Sequence, residues 1–159
     1  MDLLLWRHAD AAEGEPDLDR PLTRKGEKQA RRVAQWLNGH LPDSARILVS
    51  PARRAQQTAH ALIEIGGRKW KTVDLLAPGA SASDVLAAVE WPRARAPVVA
   101  VGHQPTLGLV ASLLLGGVEQ PWAIRKGALW WLSSQPEEES VQASLIASIH
   151  PSLLQARPD

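Results

Sequence analysis

Three short runs of consecutive apolar residues stand out along the chain, and longer amphipathic segments lie between them. The runs are Leu3–Trp6, Arg46–Val49 (apolar from position 47) and Val98–Val101. Unbroken apolar runs of this length are typical of strands in a parallel sheet that is covered on both faces. We therefore expect these three segments to form the buried strands of one sheet.

Four amphipathic segments predict helices. In the first, which follows Thr23, apolar side chains recur at the spacing of one helix face, and Gly39 is expected to end the helix. Ser50 is expected to cap the second helix, the segment Ser81–Asp84 matches a capping box for the third, and Pro105 opens the fourth.

The last third of the chain changes to a period of two residues. Ala128–Ser133 is apolar and rich in tryptophan, and apolar residues occupy every second position of Val141–Ile149, which is typical of strands. Strands and helices that alternate and end in strands predict an α/β fold, a three-layer α/β/α sandwich with a mostly parallel central sheet. We expect a single domain over residues 1–150 and a C-terminal tail over 151–159.

Composition narrows the class of protein. A chain of 159 residues suits one domain, and 18 basic against 17 acidic residues give no overall electrostatic reason to expect nucleic acid or an anionic membrane as partner. With no cysteine, the chain has no disulfide, zinc–thiolate site or thiol nucleophile. Because no secretory signal, membrane-spanning stretch or interface pattern stands out, we expect a cytoplasmic monomer.

The three predicted buried strands all lead into residues suited to phosphate chemistry. Arg7 and His8 follow the first, Arg53 and Arg54 begin the helix after the second, and His103 follows the third. Ligands of open α/β sheets bind beyond the carboxyl ends of the strands, so these side chains are expected to converge in one crevice. Arginine charges suit a phosphate, and two imidazoles supply a nucleophile and a proton donor. Spacing alone does not choose between the two neighbouring arginines.

Four segments carry motifs in a fixed order over roughly residues 1–130: Leu5–Ala9, Pro21–Ala30, Ser50–Thr58 and Gly102-His103. They resemble the Arg-His-Gly, Leu-Thr-x-x-Gly-x-x-Gln-Ala, Ser-x-x-x-Arg-Ala-x-Gln-Thr and second-histidine motifs of the histidine phosphatase superfamily, which includes the phosphoglycerate mutases. The short chain and its Arg-Pro-Leu-Thr stretch at 20–23 are most similar to the SixA-type protein-phosphohistidine phosphatases.

The resemblance implies a phosphoglycerate mutase-like fold and a phosphatase that works through a phosphohistidine intermediate, without metal or cofactor. It implies a phosphate pocket formed by Arg7, His8, Arg54 and His103, with His8 as the nucleophile. It also aligns Arg20 near the mouth of the pocket as a further phosphate ligand. The substrate it implies is a phosphohistidine on a partner protein of the phosphotransfer type.

Two departures from the family pattern bear on this interpretation. Ala9 stands where the motif has glycine, and it would strain the backbone if that position required a positive φ. The stretch Leu75–Ser81, where many members carry an acid for an alkoxide leaving group, has no carboxylate. Its neighbours Asp74 and Asp84 are assigned to the end of a strand and to a helix cap. The missing acid favours a P–N substrate, because an imidazole leaves more readily than an alkoxide.

Two alternatives remain open at this point. One is a small-molecule phosphate-ester phosphatase of the same fold, which a carboxylate of Asp10, Asp74 or Asp84 at the leaving group would favour. The other is a non-catalytic phosphate-binding or scaffold protein. The acidic loop Glu13–Asp19 is expected to be solvated, with contact to a basic patch on a partner as its alternative. The basic face of the first helix, formed by Arg24, Lys25, Lys28, Arg31 and Arg32, is also expected to be solvated, with docking of a phosphoprotein as its alternative.

Overall fold

The computed structural model describes residues 1–135 and 142–155, along which strands and helices alternate as the sequence predicts. Val141, at the start of the last predicted strand, lies outside the described residues, as do positions 156–159 of the predicted tail. The elements are β1 Asp2–Arg7, α1 Arg24–His40, β2 Arg46–Val49, α2 Arg53–Gly66, β3 Lys71–Thr72, α3 Ala82–Ala88, β4 Val98–Gly102, α4 Thr106–Gly116, β5 Leu129–Ser133 and β6 Ser144–Ile149.

All six strands form one sheet in the order β3-β2-β4-β1-β5-β6. The first four strands in this order run parallel, and β5 and β6 continue the sheet antiparallel at one side. The predicted, mostly parallel sheet is therefore confirmed. β4 lies between β1 and β2 and aligns the carboxyl ends of the three central strands at one edge.

Helices cover both faces of the sheet, which confirms the three-layer sandwich. Because side chains alternate along a strand, Leu4 and Trp6 pack toward α1 and α2, while Leu3 and Leu5 pack toward α3 and α4. All four side chains are fully buried. The central strands thus leave reactive side chains only at their ends. None of the described helices is long and apolar enough to span a membrane.

Some local predictions are confirmed and others are wrong. The capping box of Ser81–Asp84 is present, and Pro105 directly precedes α4. Gly39 lies inside α1, which continues to His40. Asp74 does not end a strand, because β3 stops at position 72 and Asp74 begins a 3₁₀ turn. Ser50 does not cap α2, whose N-cap residue is two positions later.

The predicted alternation of the last strand does not translate into a buried face. Leu145 and Ile146 are both exposed, because β6 is the edge strand of the sheet. After β6 the chain turns back against α1 through a 3₁₀ turn over Pro151–Leu153, with Pro151 buried.

The start of α1 lies against the segment that follows β1. Thr23 caps the helix by accepting a hydrogen bond from the Gly26 N–H at 3.0 Å, and its hydroxyl donates to the Asp10 carboxylate at 2.7 Å. A Cβ atom at Gly26 would lie only 2.0 Å from the carbonyl oxygen of Asp10. Glycine is therefore required for this approach, which fixes the segment next to His8.

Gly26→Ala is expected to lower the free energy of unfolding by about 1–3 kcal/mol, because a backbone carbonyl must move to admit the methyl group. Gly39→Ala in the same helix is the matched control, since a Cβ there meets nothing within 4 Å. Loss of glycine flexibility should make that control neutral or more stable by up to about 1 kcal/mol. Urea unfolding measures both values, and equal stability of the two variants would contradict the close approach.

Candidate active site

The sheet brings the two predicted histidines together. Arg7 pairs with Gly102 in the parallel ladder of β1 and β4, so His8 and His103 leave adjacent strands side by side. The His8 N–H donates to the Gly102 carbonyl at 3.1 Å, and the two imidazole centroids lie 5.2 Å apart. Both histidines are buried, with 7% and 4% of their surface exposed.

The surroundings of His8 fix its tautomer. Its Nδ1 lies 2.8 Å from the carbonyl oxygen of Ala9, and because a carbonyl only accepts, Nδ1 carries the proton. The Ala9 N–H in turn donates to Oγ1 of Thr58 at 3.0 Å, and that hydroxyl donates to the Arg54 carbonyl at 2.7 Å. In the neutral imidazole, Nε2 therefore holds a free electron pair and is the nitrogen able to attack phosphorus.

Alanine at position 9 causes no backbone strain. Among the described residues, Glu90 alone has a positive φ without being glycine, so Ala9 adopts an ordinary conformation. Its methyl group is fully buried in the core beneath α1 and α2. The glycine of the family motif is therefore not required by φ in this chain.

One ring nitrogen of His103 has a hydrogen-bond partner, and the other has none among the described residues. Its Nε2 lies 2.7 Å from Oγ of Ser50, and its buried Nδ1 has no hydrogen-bond partner among the described residues. Ser50 is itself fully buried, and its Oγ accepts the Ala52 N–H at 3.2 Å. The sequence predicted a helix cap at Ser50 and not this hydrogen bond to His103. The position of Ser50 at the head of a matched motif was a signal that it has another role.

The structure places Arg54, and not Arg53, inside the site. Arg54 is 4% exposed, whereas Arg53 is exposed. Arg7 enters from β1 and donates through Nη1 to the Ile124 carbonyl at 2.8 Å. The Nε atoms of Arg7 and Arg54 are both buried and, like His103 Nδ1, have no partner among the described residues. Buried donors without partners are uncommon, and guanidinium groups suit the oxygens of a tetrahedral anion.

The acidic loop is not simply solvated, because Asp17 reaches the pocket arginine. Arg54 donates to the Asp17 backbone carbonyl at 2.9 Å and to its carboxylate at 3.1 Å. Arg20 donates to the other carboxylate oxygen at 3.1 Å and to the Ala12 carbonyl at 2.8 Å, so Asp17 links it to Arg54, and its role as a phosphate ligand stays a prediction. Hydrogen bonds from Arg20 and Arg54 lower the pKa of Asp17, so this carboxylate is ionised at neutral pH.

Two of the other candidate carboxylates already have partners. Asp10 accepts from Thr23 and, at 3.0 Å, from Lys126. Asp84 accepts the Ser81 N–H within the capping box of α3. Asp74 is exposed in its 3₁₀ turn. Within residues 1–135 and 142–155, no group of three or more His, Cys, Asp or Glu side chains is arranged to hold a metal ion.

Both histidines are neutral at pH 7. Burial lowers the pKa of His8 to about 4, against a hydrogen bond to Ala9 that raises it, and the positive charge of Arg54 lowers it further. Burial also lowers the pKa of His103 to about 3, assisted by the neighbouring His8. A neutral His8 has the free electron pair that a nucleophile needs.

These low pKa values predict how stability depends on pH. Between pH 6.5 and about 4, the unfolded chain binds protons at both histidines while the folded chain does not, so stability falls as pH falls. The expected loss is about 1 kcal/mol per pH unit for each histidine. Urea unfolding at pH 7, 6 and 5 measures it. The double variant His8→Asn/His103→Asn should show a clearly shallower slope, and an unchanged slope would contradict the buried neutral histidines.

The chain is similar to known phosphatases in sequence and in structure. Residues 3–77 match the family described as the histidine phosphatase superfamily (branch 1). Over 129 residues the chain is 32% identical to phosphohistidine phosphatase SixA of Escherichia coli (strain K12), covering 76% of this chain and 78% of that protein. An uncharacterised protein of Picosynechococcus is 42% identical over 124 residues, 74% of each chain. A solved structure of the protein histidine phosphatase SixA with tungstate superimposes with a TM-score of 0.83 at 28% identity, over 98% of this chain and 100% of that one.

Proposed function

The chain is a phosphatase of the histidine phosphatase superfamily, and we propose that it removes the phosphoryl group from phosphohistidine on a partner protein. One observation carries the proposal: the free Nε2 of His8 lies at the same edge of the sheet as three buried nitrogens that have no hydrogen-bond partner among the described residues. They belong to Arg7, Arg54 and His103. In the proposed complex, the oxygens of the phosphoryl group accept hydrogen bonds from these three nitrogens while its phosphorus faces Nε2 of His8.

In the first step, Nε2 of His8 attacks phosphorus in line and forms a P–N bond as the P–N bond of the substrate breaks. Arg7 and Arg54 hold the oxygens and balance their charge, which is the largest part of phosphoryl-transfer catalysis. The phosphate charge raises the pKa of His103, which in its protonated form donates from Nδ1 to an oxygen and from Nε2 to Ser50.

In the second step, water attacks the phosphorus of phospho-His8. The P–N bond breaks, the hydrogens of the water leave with the phosphate, and His8 returns to its neutral tautomer. The Ala9 carbonyl accepts from Nδ1 throughout, so the same nitrogen is free for the next attack. We propose that the fixed arginine charges take the part that a magnesium ion has in other phosphoryl-transfer enzymes.

The state of Asp17 supports a P–N substrate over a phosphate ester. When the other ring nitrogen of a phosphohistidine carries a proton, its imidazole leaves as a neutral molecule and needs no further proton. An alkoxide needs an acid, and Asp17, which contacts Arg54, is held ionised by its two arginines. The carboxylates of Asp10 and Asp84 are already bonded elsewhere.

The test compares turnover of a phosphotransfer protein carrying phosphohistidine with turnover of a panel of phosphate monoesters, in the presence of EDTA. We expect kcat/KM to be at least about 100-fold higher for the phosphohistidine protein, about 3 kcal/mol in transition-state free energy. EDTA should not reduce it. Asp17→Asn keeps the backbone contact to Arg54 and should lower ester turnover no more than it lowers turnover of the phosphohistidine protein.

Fast ester turnover that Asp17→Asn abolishes would overturn the proposal, because it would identify Asp17 as the acid of a small-molecule ester phosphatase. Phosphate binding without turnover of either substrate class would instead establish the non-catalytic alternative. Loss of activity in EDTA would show that the reaction requires a metal ion.

A further inference from the structure

We propose that a basic cleft beside the catalytic pocket docks an acidic surface of the protein that carries the phosphohistidine. This inference rests on the proposed function and identifies the surface of this chain that recognises the partner. The basic cleft is defined by six cationic side chains, Arg7, Lys25, Lys28, Arg32, Arg125 and Lys126, and has a volume of about 790 Å³.

Three separate elements contribute the cations of the basic cleft. Lys25, Lys28 and Arg32 lie three and four residues apart on α1 and therefore share one helix face. Arg125 and Lys126 come from the segment before β5. Arg7 lines the cleft from the end of β1, directly before the nucleophile. Arg7 is thus common to the cleft and to the proposed phosphate site.

Charge is concentrated in the basic cleft far beyond the average of the chain. The whole chain has 18 basic and 17 acidic residues, whereas the cleft has six cations and one carboxylate, that of Asp10. Asp10 is itself occupied by Lys126 and Thr23. A surface with this excess of one sign attracts a surface of the opposite sign and accelerates its association.

The cations of the basic cleft suit a protein surface better than a small anion. Lys25, Lys28, Arg125 and Lys126 are exposed. No hydrogen bond from the side chain of Lys25, Lys28 or Arg125 to another described residue fixes its direction, whereas Arg7 and Arg54 are both anchored. A small anion requires donors held in place, while long mobile cations can follow carboxylates whose positions vary across a protein surface.

The test uses two synthetic peptides with one central phosphohistidine, flanked in one by three glutamates on each side and in the other by glutamines. At low ionic strength, wild-type KM should be about tenfold lower for the acidic peptide, equal to about 1.4 kcal/mol. The triple variant Lys25→Gln/Lys28→Gln/Arg32→Gln should abolish this preference. Turnover of phosphoramidate, a small P–N substrate, should stay within about twofold of wild type, and salt at 0.2 M should weaken the preference.

The matched control removes three exposed cations outside the cleft, Lys69→Gln/Arg93→Gln/Arg95→Gln, and should keep the preference. Equal KM values for both peptides in wild type would overturn the proposal. So would a loss of the preference for the acidic peptide in the control variant as large as that in the triple cleft variant. So would a parallel loss of phosphoramidate turnover in the triple cleft variant. Absence of turnover on every P–N substrate would contradict the proposed function alone. Anisotropy binding of non-hydrolysable phosphoryl-triazole analogues of the two peptides then still decides the docking question.

Discussion

His8→Ala is expected to lower kcat on a P–N substrate by at least about 10⁴-fold, or about 5 kcal/mol of activation free energy. The reason is that the variant has no nitrogen to take the phosphoryl group, while the arginines still bind the anion. Phosphate should therefore still compete for the site with a similar inhibition constant. Steady-state turnover and a phosphate competition assay measure the two effects separately.

His60→Ala is the control for a histidine outside the site, since His60 is exposed on α2, beside Glu64. It should keep turnover within about twofold of wild type. Rapid quenching of the wild-type enzyme should also trap a phosphoryl label that is stable to base and labile to acid, as a phosphohistidine is. Substantial turnover by His8→Ala, or a trapped label in that variant, would place the nucleophile elsewhere.

Arg54→Lys is expected to lower kcat/KM by about 10³-fold even though the positive charge is kept. Arg54 uses both Nη atoms on Asp17, and its buried Nε has no partner among the described residues. A lysine has one nitrogen in place of three and lacks the planar fork, so it cannot keep the same hydrogen bonds to Asp17 while reaching a phosphoryl oxygen in the same geometry. Turnover and the inhibition constant of phosphate should both worsen.

Arg53→Lys provides the matched control one residue away. Arg53 is exposed and lies 3.4 Å from the Asp19 carbonyl, so this variant should stay within about twofold of wild type. Equal effects at the two positions would contradict the assignment of Arg54 to the pocket. Thermal unfolding of both variants checks that a loss of activity does not come from a loss of fold.

The buried strands and the pairing of histidines could be predicted because they follow from local pattern and from one topological rule. Leu3–Trp6 and Val98–Val101 are apolar without interruption, and a strand of that kind fits only a sheet covered on both faces. Once both strands are parallel, His8 and His103 must meet at the same edge. The buried face of α1 could also be predicted, because its apolar residues are spaced three and four positions apart.

Contacts between distant parts of the chain could not be predicted from such patterns. Asp17 reaches Arg54 across 37 positions, and Ser50 reaches His103 across 53. The path of a loop is decided by the partners it finds after folding. The acidic loop therefore suggested solvation or contact with a partner protein, and the Ser-Pro pair suggested a helix cap. The exposure of Leu145 could not be predicted either, because the two-residue alternation does not indicate that β6 is an edge strand.

The position of β4 between β1 and β2 determines when the protein becomes active as it folds. β1 and β2 are made first but are not neighbours, and each pairs with β4, which is synthesised much later. His8 and Ser50 therefore meet their common neighbour His103 only after two long chain loops close, a slow event in folding. In refolding, activity should therefore return with the last global phase and not with the first appearance of helix.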